Sequence, residues 1–286
     1  MPRITPLPLS PTEFRSTLFS HGWAWLDPLV VDRDGPRLTV PFDLPSGIGV
    51  VMVRADGGRC LLSPIRGGRK ACERVASTVL SLDLDLAELH SKATGRWSWL
   101  AEMGMGRFLR SPSLFEDCCK ALFATNTRWN RTDSMTAAAV SLGEEVGKLQ
   151  AFPKPERLLE LDDAEMRGRL GCGFRARYLK ALCERASDAA DLYLGDGWRA
   201  LSPTELRAEL GGLLGFGPSS VEYLARMYCQ GENHHYDSWV FRRCEELWGV
   251  TGDEVDEFVR KRYRRFGSMG PTVMWLVLTR EWHGDE

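Results

Sequence analysis

Between residues 203 and 230 the chain reads as helix, short hairpin, helix, and the turn at its centre, Leu213-Leu214-Gly215-Phe216-Gly217-Pro218-Ser219-Ser220, sharply limits the surrounding fold. Ser202-Pro203-Thr204-Glu205 marks the start of the first helix, with a serine cap, a proline at the first helical position and a glutamate three residues after the cap. Gly215 and Gly217 flank one apolar residue, and this pattern predicts a first helix that reaches Leu214 before the glycines stop it. Pro218 opens the next helix, with Val221, Leu224, Ala225 and Tyr228 on one face. Such a hairpin turns main-chain N–H groups toward a helix N-terminus, where an anion such as a phosphate can sit. Further on, Tyr236-Asp237-Ser238-Trp239-Val240 places an aspartate where another helix begins. On its own, Asp237 reads as a helix cap.

The rest of the chain divides into two kinds of sequence. Arg37–Phe42 and Gly49–Arg54 are β-rich runs, Asp56-Gly57-Gly58 is a turn, and Arg59–Ser63 returns as a partner strand. An antiparallel sheet follows from this. From Ala71 onward helical periodicity takes over, with no internal repeat and no low-complexity linker. The expected fold class is α+β: an N-terminal antiparallel β lobe with flanking helices over residues 1–108, then a mostly helical core over 109–286.

A length of 286 residues, 43% hydrophobic and 27% charged, suits a globular chain with a sizeable core. The formal net charge of −2 excludes a uniformly basic nucleic-acid protein but leaves room for a basic face. The cysteines, Cys60, Cys72, Cys118, Cys119, Cys172, Cys183, Cys229 and Cys244, contain no C-x-x-C pair, so zinc is not expected and buried free thiols are. His234-His235 lacks a third ligand at a recognisable spacing, and adjacent histidines point apart; loop polarity or a phosphate contact is the expectation there. No run approaches the ~18 apolar residues of a membrane span, and the N-terminus has no secretory signature. The chain is expected inside the cell, in the cytoplasm or nucleus, as a monomer without a membrane partner.

The hairpin followed by Asp237 resembles the helix-hairpin-helix DNA glycosylases, whose motif is L-P-G-x-G followed by a catalytic aspartate. Leu170–Tyr178 (Leu-Gly-Cys-Gly-Phe-Arg-Ala-Arg-Tyr) resembles the G-Y-R-A-R-Y segment of the 8-oxoguanine branch. Thr125–Arg131 resembles its asparagine-rich helix start, and Asp83–Leu89 the segment joining its sheet to its helices. The resemblance spans residues 10 to 280 in consistent order. It implies that Asp237 is catalytic and that Gly215, Phe216, Gly217, Pro218 and Ser219 form the DNA-binding hairpin. It further implies that Asn126 fills the gap left by a flipped base, that Arg131 and Arg175 contact the orphaned cytosine, and that Phe174 wedges between base pairs. Ser219 stands where bifunctional members carry the Schiff-base lysine, and no lysine lies nearer in sequence than Lys180 and Lys261. A serine hydroxyl forms no imine, which predicts a monofunctional hydrolase.

The base pocket departs further from the family. Met274 and Leu278 stand where the family places a glutamine and a stacking phenylalanine, and His21, Trp23, Trp25, Tyr223 and Trp239 are the candidate pocket residues. No cysteine follows Cys244, so the iron–sulfur loop of some relatives is absent. The family's hairpin often holds a monovalent cation through main-chain carbonyls, which would lie here near Gly211, Leu213 and Phe216. The expected partner is duplex DNA containing a modified base, with 8-oxoguanine or a related guanine lesion opposite cytosine as substrate. An alkylated-purine glycosylase is the rival enzyme reading; a non-catalytic hairpin DNA-binding protein is the rival outside catalysis.

Overall fold

The computed structural model describes residues 4–32, 34–45, 47–229 and 233–283. The N-terminal lobe is a five-stranded antiparallel sheet of β1 (Thr5–Leu7), β2 (Val30–Asp32), β3 (Arg37–Leu44), β4 (Gly47–Asp56) and β5 (Arg59–Arg66), in the order β1-β5-β4-β3-β2. The three central strands are those the alternation of β-branched residues predicts; β1 and β2, each three residues long, flank them. Leu38, Val40 and Phe42 of β3 are buried together with Val51 and Val53 of β4 and Cys60 and Leu62 of β5. Phe42 lies opposite Gly49 across the ladder, and a Cβ on that glycine would come within 2.4 Å of the ring. The aromatic side chain therefore covers a position only glycine can hold. Helices Pro11–Leu18 and Arg69–Val79 pack on this sheet.

Helices make up most of the chain after residue 69, interrupted by a two-residue hairpin pairing Glu145–Val146 with Leu149–Gln150. The hub is helix Leu114–Ala124, on which every side chain from Leu114 to Phe123 is buried. One hydrophobic cluster runs from the sheet (Leu38, Val53) through this helix (Phe115, Leu122) to the last long helix (Val273, Leu276), so the two lobes share a core.

Buried polar groups fasten the elements to one another. Asp117 accepts from Trp23 Nε1 at 2.6 Å, from the Ser111 N–H at 3.0 Å and from the Tyr228 hydroxyl at 2.6 Å. Arg110, with no exposed surface, donates to Asp83 at 2.7 Å and to the carbonyls of Met227 and Tyr228 at 2.8 and 3.5 Å. Its guanidinium also packs on the rings of Trp198 and Tyr228, 5.0 and 4.7 Å away. Those two carbonyls close helix Pro218–Cys229, whose last-turn carbonyls have no N–H donors left inside the helix. The eight cysteines are thiols, seven of them buried and Cys229 half-buried. Among the described residues no helix is long and apolar enough to cross a membrane, and no group of three or more His, Cys, Asp or Glu side chains could hold a metal ion.

Candidate functional site

The hairpin forms as its residues require. Ser202 caps helix Pro203–Gly211 by accepting from Glu205 N–H at 3.3 Å, while the Glu205 carboxylate accepts from Ser202 N–H at 2.8 Å. The helix stops at Gly211, short of the expected Leu214, with Gly212 as its C-cap. Two consecutive glycines are poor helix formers and end it first. The chain then turns through residues 212–217, with Phe216 N–H donating to the Leu213 carbonyl at 3.2 Å, and re-enters a helix at Pro218. Gly215 takes φ +87°, and a Cβ there would lie 2.6 Å from the Tyr178 ring, so both conformation and space demand glycine. Gly217 has open space around it. Leu214 is 62% exposed at the tip. The first-turn N–H groups of helix Pro218–Cys229 have no partner inside the helix, which suits an oxygen of a phosphate. A cation at this turn would find main-chain carbonyls alone, and that of Leu213 already accepts the Phe216 N–H.

Asp237 caps helix Ser238–Trp248, its Oδ1 accepting from Val240 N–H at 2.8 Å, and the residue is exposed. The capping expectation and a second role are compatible because no described residue hydrogen-bonds to Oδ2. Immediately upstream, His235 Nε2 and Ser219 Oγ are hydrogen-bonded at 2.5 Å, tying the Asp237 segment to the second hairpin helix and engaging the Ser219 hydroxyl. His234, mostly buried, stacks on Tyr236 with ring centroids 6.1 Å apart, and Tyr236 donates to Asp256 at 2.9 Å. The charge of Asp237 also acts on Tyr223 and Arg226 of the second hairpin helix. Burial drives the Tyr223 phenol far above its ordinary pKa, with Asp117 and Asp237 adding to the effect and Arg226 opposing it.

Tyr223 opens a cluster of rings. His21, fully buried, donates from Nε2 to the Leu109 carbonyl at 2.6 Å, which leaves Nδ1 to accept from the Tyr223 hydroxyl at 2.7 Å. Burial pushes this imidazole down to a pKa of about 3 and keeps it neutral. Ring centroids then follow at 5.0 Å for His21–Trp23, 5.2 Å for Trp23–Tyr223, 5.7 Å for Tyr223–Trp275, 5.2 Å for Trp239–Trp275, 5.7 Å for Trp239–Trp282 and 5.8 Å for Trp25–Trp282. Five of the seven residues expected from sequence at a base pocket, His21, Trp23, Trp25, Tyr223 and Trp239, thus meet in one cluster. His21 and Trp23 form the inner layer of the cluster, with no more than 1% exposure, while Trp25, Tyr223 and Trp239 are half-buried. Met274 and Leu278 have no exposed surface; they belong to the core on helix Gly270–Leu278 and present nothing to open space. Trp275 and Trp282 join the cluster without having been expected, as does Arg226, whose guanidinium lies 4.9 Å from the Trp275 ring. Helical spacing could have found Arg226: Ser219, Tyr223 and Arg226 stand four and three residues apart, on one face. Trp275 is held by donating its indole N–H to the Ser20 carbonyl at 2.9 Å.

The third group gathers around two neighbouring turns, with Asn126 and Arg131 at the start of helix Trp129–Val140 and Phe174 and Arg175 in the turn Gly173–Arg175. Asn126 is exposed at φ +44°, a left-handed conformation asparagine tolerates, just ahead of helix Trp129–Val140. Phe174 is 51% exposed in a short turn, edge-on to Tyr178 at 6.2 Å. Tyr178 also underlies Gly215, so one ring braces both this turn and the hairpin. Arg131 is exposed, with one contact of 3.5 Å to the Gly171 carbonyl. Arg175 differs from the expectation of an outward fork: it is 6% exposed and donates to the Thr125 hydroxyl at 3.1 Å and to the Thr125 carbonyl. The loop carrying Asn126 is thereby pinned to the turn carrying Phe174. A groove lined by Arg96, Lys261, Arg262, Arg264 and Arg265 gathers cations elsewhere on the surface, despite the acidic net charge.

No protein-family model and no curated protein sequence matches the chain. Solved structures do. The 3-methyladenine DNA glycosylase from Archaeoglobus fulgidus is 19% identical, with 97% of this chain and 98% of that one covered and a TM-score of 0.72. MBOgg1, solved in complex with a low-affinity DNA ligand, is 19% identical over 98% and 99% of the two chains, with a TM-score of 0.70. The 8-oxoguanine glycosylase/lyase of Clostridium acetobutylicum, in complex with duplex DNA containing cytosine opposite 8-oxoguanine, is 20% identical over 97% of each chain, with a TM-score of 0.68. From sheet to closing helix, the chain has the fold of the helix-hairpin-helix DNA glycosylases.

Proposed function

We propose that this protein is a monofunctional DNA glycosylase that flips a modified purine out of duplex DNA and hydrolyses its N-glycosidic bond. The observation that carries the reading is the position of Asp237. It is an exposed carboxylate at a helix head, tied through His235 and Ser219 to the hairpin and acting electrostatically on the aromatic cluster. Hairpin N–H groups and surface cations grip phosphates; Phe174 and Asn126 occupy the space the flipped nucleotide leaves. As the glycosidic bond lengthens, positive charge spreads over C1′ and the ring oxygen of the sugar. Asp237 stabilises that charge and orients the attacking water. Ser219, its hydroxyl engaged by His235, offers no amine for an imine, so the abasic site is left unbroken.

The cytosine-facing role of Arg131 favours a guanine-derived lesion such as 8-oxoguanine. The aromatic cluster itself favours a second reading, an alkylated and cationic purine held by cation–π attraction. The test is mass spectrometry of bases released from oxidised and from alkylated genomic DNA, with borohydride added to a parallel sample. Release of a modified purine with no trapped adduct is the expected result. A covalent adduct overturns the monofunctional assignment, and no released base from either DNA overturns the glycosylase.

A further inference from the structure

Arg226 is 5% exposed, lies one turn beyond Tyr223 on the second hairpin helix and stacks on Trp275. Its Nε has no hydrogen-bond partner among the described residues. The neighbouring carboxylate of Glu222 is committed elsewhere, to Arg207 at 3.2 Å and to Asn233 at 2.8 Å. Burial lowers the guanidinium pKa to about 10, which leaves the group charged at neutral pH. A buried cation with an N–H to spare is costly, and an acceptor supplied by a ligand would remove that cost.

We infer that Arg226 sets the substrate class: it selects a neutral purine that presents a carbonyl or ring-nitrogen acceptor and rejects purines that carry a positive charge. This rests on the glycosylase reading above and decides between its two substrates. The reason lies in where the electrons go. When the C1′–N9 bond of a neutral purine breaks, its electron pair stays on the base, which leaves as an anion. The guanidinium opposes that developing negative charge and donates a hydrogen bond to the base edge. Water then forms the new C1′–O bond and releases a proton to Asp237 or solvent, and the departed base takes up a proton from water. A purine alkylated at a ring nitrogen starts as a cation and leaves neutral. It has no developing negative charge for Arg226 to stabilise, and bound beside a fixed cation it is repelled throughout.

The experiment pairs two readouts on the wild type, Arg226→Met and Arg226→Lys. Single-turnover release is measured from duplexes carrying 8-oxoguanine or 7-methylguanine, and tryptophan fluorescence is titrated with free 8-oxoguanine. For Arg226→Met, release of 8-oxoguanine should fall about 100-fold while release of 7-methylguanine stays unchanged or rises. Free 8-oxoguanine should bind this variant about tenfold more weakly, with Arg226→Lys in between. Equal losses on both lesions, or unchanged binding of free 8-oxoguanine, would overturn the inference. If the wild type releases neither base, the glycosylase reading fails, and the fluorescence titration still decides the role of Arg226.

Discussion

Residues 212–217 offer a ligand main-chain N–H groups and no polar side chain, whereas His21, Trp23, Tyr223, Trp239, Trp275 and Trp282 offer rings. The first surface is exposed and held in shape by backbone conformation at Gly215; the second is largely enclosed and held by hydrogen bonds its rings donate to the Leu109 and Ser20 carbonyls and the Asp117 carboxylate. Main-chain N–H groups are the same whatever sequence surrounds them, so the hairpin suits a partner that repeats, as phosphates do. Rings and a guanidinium are chosen residue by residue, so the cluster suits a partner that must be distinguished. Binding and choice are thus assigned to different physical materials, and substitutions should separate them.

The sharpest separation is Asp237→Asn. Asparagine keeps the size and the cap acceptor, so thermal stability and duplex affinity should hold while base release falls by about 10³-fold. Single-turnover release beside fluorescence anisotropy checks both halves. Release at the wild-type rate would remove Asp237 from the chemistry.

Next is Gly215→Ala against Gly217→Ala. The first forces a Cβ into the Tyr178 ring at a left-handed φ and should lower stability by about 1–3 kcal/mol, with a loss of duplex affinity. The second has room and should leave stability nearly unchanged, yet still weaken binding if a phosphate approaches that carbon. Denaturant melts and salt-dependent binding distinguish them. Equal stability of the two variants would mean that the hairpin is not held as described.

A smaller effect separates Arg131→Ala from Arg175→Ala. The exposed Arg131 should carry opposite-base discrimination, on the order of 1 kcal/mol in excision opposite the four bases. Arg175, turned inward onto Thr125, should instead cost stability and leave the ranking of opposite bases in place.

The gentlest test is pH. The unfolded chain takes up a proton on His21 near pH 6.5, while the buried imidazole resists it until about pH 3. Acid therefore favours the unfolded state through this group, and its contribution, whole above pH 6.5, is lost as the pH falls toward 3. His234, lowered by burial to about 4, acts in the same sense; Asp43, raised by burial to about 6, acts in the opposite one. The Tm advantage of the wild type over His21→Phe should accordingly shrink on acidification. A constant advantage would show that His21 is not held neutral.

What can be read from sequence follows the same division. The hairpin, its Ser202 cap and the Asp237 cap are contiguous stretches, each legible because helix ends and turns are local events. The strands Arg37–Leu44, Gly47–Asp56 and Arg59–Arg66 are legible for the same reason, from alternation and the Gly57-Gly58 turn. Strands Thr5–Leu7 and Val30–Asp32 are too short to carry a pattern and exist because a neighbouring strand pairs with them. The cluster joins residues near 21, 223 and 275, so only the folded chain shows that Trp275 and Trp282 belong with Trp239. The inward turn of Arg175 depends on Thr125, fifty residues away, and no local rule reports such a partner.

Arg110 has a mechanical consequence. By holding the closing carbonyls of the second hairpin helix and anchoring them to Asp83, it fixes that helix at the end away from the hairpin. A lever clamped at its base transmits load without swinging. Under the proposed function, a duplex pressing on the hairpin would meet a clamped helix, so the bending would fall on the duplex and sites of weakened stacking would yield first. In that reading the helix is the anvil, and softness in the DNA is the signal.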